Sequence, residues 1–286
     1  MCAATDTAWK KYYDAFKLAL TPNVFHINYV SANGDSSKYD HWAGQLAGIA
    51  NIKVIITAGT EAALACMGAV LDPKNTAVVF ASAGDPLGCG LVNSLTQPTG
   101  TNVTGCINMQ TDDTIVETRI SVMKNKLAPQ KKVLVVGNNP PATPLCVIDH
   151  AMDKALYWLD QAGIARATKD EGRWASGDFL SVDNVKQKLT PLKDEVDVLL
   201  VCSDPVVSAN VSNLIQAAHD LKMKTMHEFR EHVDHPNNGN QCYGPSFKGL
   251  FTQAAIIVNQ IGILHQPGVA AGNIDVQLPG AYDEIP

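Results

Sequence analysis

The side chains of this 286-residue chain that could do chemistry sit in short polar runs directly after apolar, β-branched ones. Ala58-Gly59-Thr60-Glu61 follows Val54-Ile55-Ile56-Thr57 and opens a helical stretch. The free N–H groups of a helix start, with the Thr60 hydroxyl beside them, suit a carboxylate or phosphate. The same two residues also read as an N-cap and a favourable first-turn acid. Ser82-Ala83-Gly84-Asp85-Pro86 follows a second apolar run, and the proline pushes Asp85 towards an extended conformation. A carboxylate aimed out of a strand end in this way can pair with an ammonium, or it can close an Asx-type turn. Asn138-Asn139-Pro140, Ser203-Asp204-Pro205 and Glu228-Phe229-Arg230 hold the corresponding positions in the second half, and Tyr243 leads Tyr243-Gly244-Pro245-Ser246. Arg230 has the fork geometry that grips a carboxylate, and it reads equally as a solvated surface charge.

Catalytic signals are weaker. His227, His232 and His235 cluster, yet the spacing is HExxxH rather than HExxH, so the first two do not share one helical face, and a polar loop holding histidines is the expectation over a metal site. No GxSxG elbow and no GxxxxGK[ST] or GxGxxG phosphate loop occurs. Cys89 and Cys202 are the thiols that could serve as nucleophiles, but neither has a base beside it in sequence. Seven cysteines without a CxxC pair exclude a zinc ribbon or a dense disulfide scaffold, and most read as small buried hydrophobes. Asn102-Val103-Thr104 and Asn210-Val211-Ser212 match the glycosylation sequon, a pattern short enough to arise by chance. No metal and no cofactor is expected.

These polar runs need elements to position them. Apolar runs at 24–30, 53–58, 77–82, 102–108, 132–137, 164–168, 196–202 and 224–228 predict strands. Helical spacing predicts helices at 8–20, 38–50, 60–71, 112–127, 145–162, 179–190, 206–221 and 246–264. Alternation of this kind builds parallel sheets, and runs such as Val133-Leu134-Val135-Val136, apolar on both faces, require helices on both sides. In open parallel sheets ligands bind beyond the carboxyl ends of the strands, which is where the polar runs fall. Composition narrows the partners. With 22 Lys plus Arg against 28 Asp plus Glu, a net charge of −6 and no basic block longer than a pair, the chain has no footprint for nucleic acid or an anionic membrane. No apolar run approaches the roughly 18 to 20 residues that span a bilayer, and Met1-Cys2-Ala3-Ala4-Thr5 lacks the order of a signal peptide.

Several stretches together resemble one family. Val79-Phe80-Ala81-Ser82-Ala83-Gly84-Asp85-Pro86-Leu87-Gly88-Cys89-Gly90-Leu91-Val92-Asn93-Ser94-Leu95, followed by Gln97-Pro98-Thr99-Gly100-Thr101-Asn102-Val103-Thr104-Gly105, is similar to the substrate-binding proteins of ABC importers in the tryptophan/tyrosine-type group. Ala58-Gly59-Thr60-Glu61-Ala62-Ala63, Ser203-Asp204-Pro205, Phe229-Arg230-Glu231-His232-Val233 and Tyr243-Gly244-Pro245-Ser246 support it. The resemblance implies the type I periplasmic binding fold. This is an α/β architecture of two lobes, each a parallel sheet flanked by helices, that closes on a small solute, often an amino acid, and delivers it to a membrane permease. It implies that Thr60 and Ser82 receive a carboxylate and Asp85 an ammonium, while Asn139, Asp204 and Phe229 close from the second lobe. Glu61 stands where the family usually has proline, and its charge competes with a ligand carboxylate. Relatives also carry a signal sequence and a first central strand ahead of the helix that here begins near Trp9, so the first strand is expected to be missing.

The expectations are then a first lobe from residues 1–105 plus 243–272 and a second from 106–242 plus 273–286, with the Thr99–Gly105 run as a possible hinge. The solute site draws on Thr60, Glu61, Ser82, Asp85, Pro86, Asn138, Asn139, Asp204, Phe229, Arg230 and Tyr243. The function expected is solute binding without catalysis, as a monomer outside the cytoplasm with an ABC permease as partner. The alternatives are a ligand-sensing module of a receptor or regulator, and a Cys-dependent enzyme on an amino-acid-like substrate.

Overall fold

Every strand pairing in the described chain is parallel, the outcome that strands apolar on both faces and separated by helices demand. The computed structural model describes residues 6–32, 36–95, 99–108, 111–139, 146–203, 205–234 and 237–277. In chain order the elements are α1 (Asp6–Ala19), α2 (Tyr39–Ala47), β1 (Val54–Thr57), α3 (Thr60–Ala69), β2 (Ala77–Ala83), β3 (Val103–Ile107), α4 (Asp113–Leu127), β4 (Lys132–Asn138) and α5 (Cys146–Gln161). There follow α6 (Lys169–Gly172), β5 (Arg173–Trp174), α7 (Val182–Leu189), β6 (Val196–Val201), α8 (Pro205–Ala209), α9 (Val211–Asp220), β7 (Lys224–His227), β8 (Gln241–Cys242), α10 (Phe247–Ile261) and α11 (Pro267–Gly272). The chain divides into two compact units, Met1–Met109 with Phe247–Gly280, and Gln110–Ser246 with Ala281–Pro286.

The sheet of the first unit runs β1-β2-β3. All seven residues of β2 are buried, because α3 covers one face and α10 the other. Gly105 pairs with Phe80 across β2 and β3, and a Cβ there would stand 2.1 Å from the Phe80 carbonyl oxygen. Two expectations change in this unit. The 24–30 run forms no named strand, with Val24 in a turn, and the Thr99–Gly105 run lies inside the first unit. Thr99 is buried and donates to the Val103 carbonyl (2.8 Å), and Val103–Gly105 is already strand, so the passage to the second unit comes after residue 109. Residues 273–277, expected with the second lobe, belong to the first. Gln277 forms a parallel bridge with Cys106, and the Thr104 hydroxyl donates to the Ile274 carbonyl.

The sheet of the second unit runs β5-β4-β6-β7-β8. Alternate residues of its central strands feed two cores. Val133, Val135, Val198 and Leu200 pack with α4 and α5, while Leu134, Val136, Leu199 and Val201 pack with α7 and α9. The predicted 164–168 strand shrinks to one bridge, Val133 with Arg166, since Thr168 caps α6 and bends the chain before it re-enters as β5. The two-residue β8 was not expected, being too short to show a period. A Gly105→Ala substitution should lower stability by about 3 kcal/mol or more through overpacking at the β2–β3 contact, measurable by urea unfolding.

Candidate functional site

In the first unit the polar runs gather at the carboxyl rim of the sheet. Gly59 takes φ +93°, a conformation glycine tolerates, and turns β1 sharply into α3 while its N–H donates to the Ser82 carbonyl (2.8 Å). Thr60 is buried and its hydroxyl accepts from the Gly84 N–H (3.1 Å), which fastens the start of α3 to the end of β2. Ser82 is buried too, and its hydroxyl accepts from the Asn108 side-chain amide (3.2 Å) at the end of β3. Asp85 accepts from the Gly88 N–H (2.9 Å), so it closes the Asx-type turn and remains half-buried. Its carboxylate lies over Gly88, where a Cβ would come 2.2 Å from Oδ2. Pro86 is buried beneath this turn, with its carbonyl accepting from Leu91 and Val92. Glu61 sits in the first turn of α3, and burial pushes its carboxyl pKa up, against the pull of a backbone N–H. Thr60, Glu61, Ser82 and Asp85 thus lie on one rim, bound to one another through the ends of β1 and β2. No Lys or Arg occurs between Lys74 and Arg119, so that stretch of the rim carries only acidic charge.

The rim of the second unit is organised around an ion pair that sequence spacing did not single out. Arg119 of α4 and Glu228, just past β7, are 3% and 1% exposed and meet at 3.2 Å. The other Glu228 oxygen accepts from the Ser203 N–H (2.7 Å), and Arg119 Nε donates to the Tyr243 carbonyl (2.8 Å). One buried pair therefore ties together α4 and the ends of β6, β7 and β8. Gly244 permits this, because a Cβ there would fall 1.9 Å from the Glu228 carbonyl oxygen. Asn138 is buried and accepts from the Ser176 hydroxyl (3.0 Å), whereas Asn139 is exposed, donates its N–H to the Trp174 carbonyl (2.6 Å) and faces Arg173. Tyr243 is half-buried against the α4–α5 core.

Two expected site residues take other roles, and a third lies outside the described residues. Phe229 is 2% exposed with its ring edge-on to His232 at 5.6 Å, so it serves packing. Arg230 is an exposed partner of Asp234 (3.2 Å), the solvated-charge reading. Asp204 lies outside the described residues, as does His235. The thiols are also settled: Cys89 is held in a disulfide, Cys202 is buried in the core, and burial raises the Cys66 and Cys106 pKa values to about 11 and about 12. With one bonded and the other buried, neither Cys89 nor Cys202 is an exposed thiol.

Behind the rim, His227 is fully buried, with neither ring nitrogen partnered among the described residues and the His232 ring edge-on at 5.4 Å. Burial, reinforced by the neighbouring His232, holds its pKa well below 6.5. Glu228 is engaged with Arg119, and no group of three or more metal-ligating side chains forms among the described residues. Because unfolded His227 takes up the proton first, stability is full above about pH 6.5 and falls as pH drops below it, by up to ~1.4 kcal/mol per pH unit. Thermal melts should therefore show Tm declining from pH 7 to pH 5, with a shallower slope in His227→Leu. Arg119→Ala, which strands a buried carboxylate, should cost about 3–5 kcal/mol in urea unfolding, and adding Glu228→Leu should restore part of it.

The model of the ABC transporter substrate binding protein family matches residues 18–151. A search of curated protein sequences gave no match. Among solved structures, the ABC domain from Streptococcus pneumonia in complex with L-Trp superposes with a TM-score of 0.78 at 16% identity, covering 99% of this chain and 89% of that one. A conserved domain protein from Vibrio cholerae O1 biovar El Tor gives 0.76 at 20% identity with the same coverage. The 5-methylthioribose transporter solute binding protein of Thermotoga lettingae, in complex with 5-methylthioribose, gives 0.62 at 10% identity, covering 99% and 83%. These likenesses establish the periplasmic-binding-protein-like fold.

Proposed function

We propose that this chain, whose residues 18–151 match the model of the ABC transporter substrate binding protein family, is a solute-binding protein of that family, holds a small solute through the solute's amino group and hands it to a membrane permease. Proteins of this family bind and deliver solutes and are not enzymes. The solute class proposed is amino-acid-like. The observation that carries it is the charge of the first unit's rim: Asp85 and Glu61 stand at the ends of β2 and β1, with no Lys or Arg between Lys74 and Arg119. An ammonium is the group such a rim receives at least desolvation cost, since a buried charge needs an opposite partner. Thr60, Ser82 and Asn108 supply the neutral hydrogen-bonding groups beside it. Glu61 weakens the start of α3 as a carboxylate site, because its own charge occupies the positive end of the helix. On this reading the solute's acid group, where it has one, is held elsewhere. Pro86 shapes the Asp85 turn, and Asn138, Asn139 and Tyr243 are the remaining rim groups offered by the second unit. The protein acts as a monomer outside the cytoplasm, with the permease as its macromolecular partner and no role for nucleic acid.

Protein unfolded and refolded to strip any solute should be screened by thermal shift against free amino acids, primary amines, neutral sugars and amine-free carboxylic acids. A ligand at a hundred times its Kd stabilises by about 2.7 kcal/mol, a plain rise in Tm. Amine-bearing compounds should shift the melt and the others should not; a response confined to sugars or amine-free acids would overturn the reading. Asp85→Asn keeps the acceptor for Gly88 but removes the charge, so calorimetry should show affinity falling more than tenfold. Since only the ionised Glu61 attracts a cation, affinity should weaken as pH falls through its raised pKa, and Glu61→Gln should flatten that dependence.

A further inference from the structure

The route from α6 into β5 fixes one cation at the rim of the second unit. Gly172 passes so close to β4 that a Cβ there would stand 1.7 Å from the Val135 carbonyl oxygen. β5 then pairs only with the last two residues of β4, Gly137 with Arg173 and Asn138 with Trp174, so both of its residues stand at the carboxyl end of the sheet. Successive strand residues point to opposite faces. Trp174 takes the face of the α7–α9 core, where it is 1% exposed, packs on Phe179 and donates from its indole N–H to the Glu171 carbonyl (2.8 Å). Arg173 is therefore sent to the face covered by α5. Gly137, its neighbour in register, looks the same way, since a Cβ there would meet Met152 of that helix at 2.7 Å. On that side Asp149 of α5 meets Arg173 Nη2 at 3.1 Å.

The same Nη2 donates to Asn139 Oδ1 (3.4 Å), and the Asn139 backbone N–H donates to the Trp174 carbonyl (2.6 Å). Asn139 is thereby held twice, by its backbone and by its side chain. A guanidinium has donors only, so the amide must turn its oxygen towards Arg173 and its NH2 away. That NH2 has no partner among the described residues, and Asn139 is exposed. Asp149 is shared with Lys169 (3.2 Å), which also pairs with Asp153 (2.6 Å), so both acids of this cluster are neutralised. An ion pair whose members are 27% and 30% exposed adds little stability. What it fixes is direction. The other arginines of this rim are engaged elsewhere, Arg119 buried against Glu228 and Arg230 paired with Asp234.

We infer that Asn139, aimed by Arg173, is a carboxylate subsite whose amide N–H groups donate to an oxygen of the solute's acid group. This rests on the reading of the solute as amino-acid-like, and it supplies the place which that reading leaves open for the acid. In the first unit the two hydroxyls of the rim are already engaged, Thr60 by the Gly84 N–H and Ser82 by the Asn108 amide, and they stand beside the acids Glu61 and Asp85. At Asn139 a carboxylate meets an N–H donor backed by a cation instead, and hydrogen bonds to an ionised group are the stronger ones. Every group of the subsite belongs to the second unit. Arg173 is a positioning residue, because it acts through the amide. Lysine cannot take its place, since a compact ammonium lacks the planar fork that here joins Asp149 to Asn139.

The test is calorimetry on the full chain, unfolded and refolded to strip any solute, with L-tryptophan, L-leucine and L-alanine. Each is compared with the amine that lacks its carboxyl group (tryptamine, isoamylamine, ethylamine) and with the acid that lacks its amino group (indole-3-propionate, 4-methylpentanoate, propanoate). At least one amino acid should bind about tenfold or more tighter than its amine. Asn139→Asp, which sets one carboxylate against another, and Arg173→Met should each abolish that preference without changing affinity for the amine, and Arg173→Lys should recover little of it. Because Arg173 works through the amide, Arg173→Met should cost nothing further in an Asn139→Ala background, which a separate structural role would not predict. Should Arg173→Met fail to fold, Asn139→Asp carries the comparison, since its side chain is exposed. An amine bound as tightly as its amino acid, or a preference that survives Asn139→Asp, would overturn the inference and leave the amino-group reading standing. An amine-free acid bound as tightly as its amino acid, with that binding lost in Asn139→Asp, would uphold the subsite and overturn the amino-group reading. Binding of none of these compounds would overturn both.

Discussion

A parallel strand buried on both faces can neither turn back directly on its neighbour nor leave either face to water, and this constraint shapes everything else in the molecule. Each strand must be followed by a crossover that lays a helix on one face, and all crossovers start from the same edge of the sheet. The carboxyl ends of the strands are thereby collected on one rim in each unit. That is why residues as distant in sequence as Thr60, Ser82 and Asn108, or Ser203, Glu228 and Tyr243, come within hydrogen-bonding reach. The polar groups are neighbours because the apolar strands beneath them are.

The two rims spend their charge differently. In the second unit the strongest charges are consumed internally: Glu228 neutralises Arg119, and its other oxygen receives the Ser203 N–H. A buried pair of this kind adds little net stability and much geometric definition, since removing either partner strands a charge. It orders the chain at the ends of three strands, and beside it burial keeps His227 neutral, with its ring edge-on to that of His232. In the first unit no Lys or Arg occurs between Lys74 and Arg119, the stretch that holds Asp85. Asp85 is fixed by its own turn and Glu61 by burial in the first turn of α3. The second rim, cross-tied by an ion pair, is a scaffold.

The strand runs that succeeded in sequence, such as 77–82 and 132–137, are those whose neighbours on both sides are present, so local propensity and tertiary pairing agree. The 24–30 run has the same β-branched character, yet it begins in the turn at Val24 and forms no named strand. The 164–168 run loses to the capping preference of Thr168. Arg230 and Phe229 were attractive by type and position alone. Only packing reveals that one is neutralised at the surface by Asp234 and the other stacks edge-on to His232. Arg119 gave no signal, since a single arginine on a helix face reads as solvated until its partner, 109 residues away, is known.

By itself the sequence determined the class of architecture and where the polar groups must fall. Alternation of β-branched and helical runs, the breaks after each strand, and the family-like stretch from Val79 to Gly105 are local properties of the chain, and local physics reads them. Tertiary structure alone decided which polar groups satisfy one another and which face outward. It set the strand order 2-1-3-4-5 in the second unit, the Arg119–Glu228 tie, the turn that occupies Asp85 and the neutrality of His227. The reason is that ionisation and hydrogen bonding depend on burial and on partners far away in sequence, whereas propensity and hydrophobic period depend only on near neighbours.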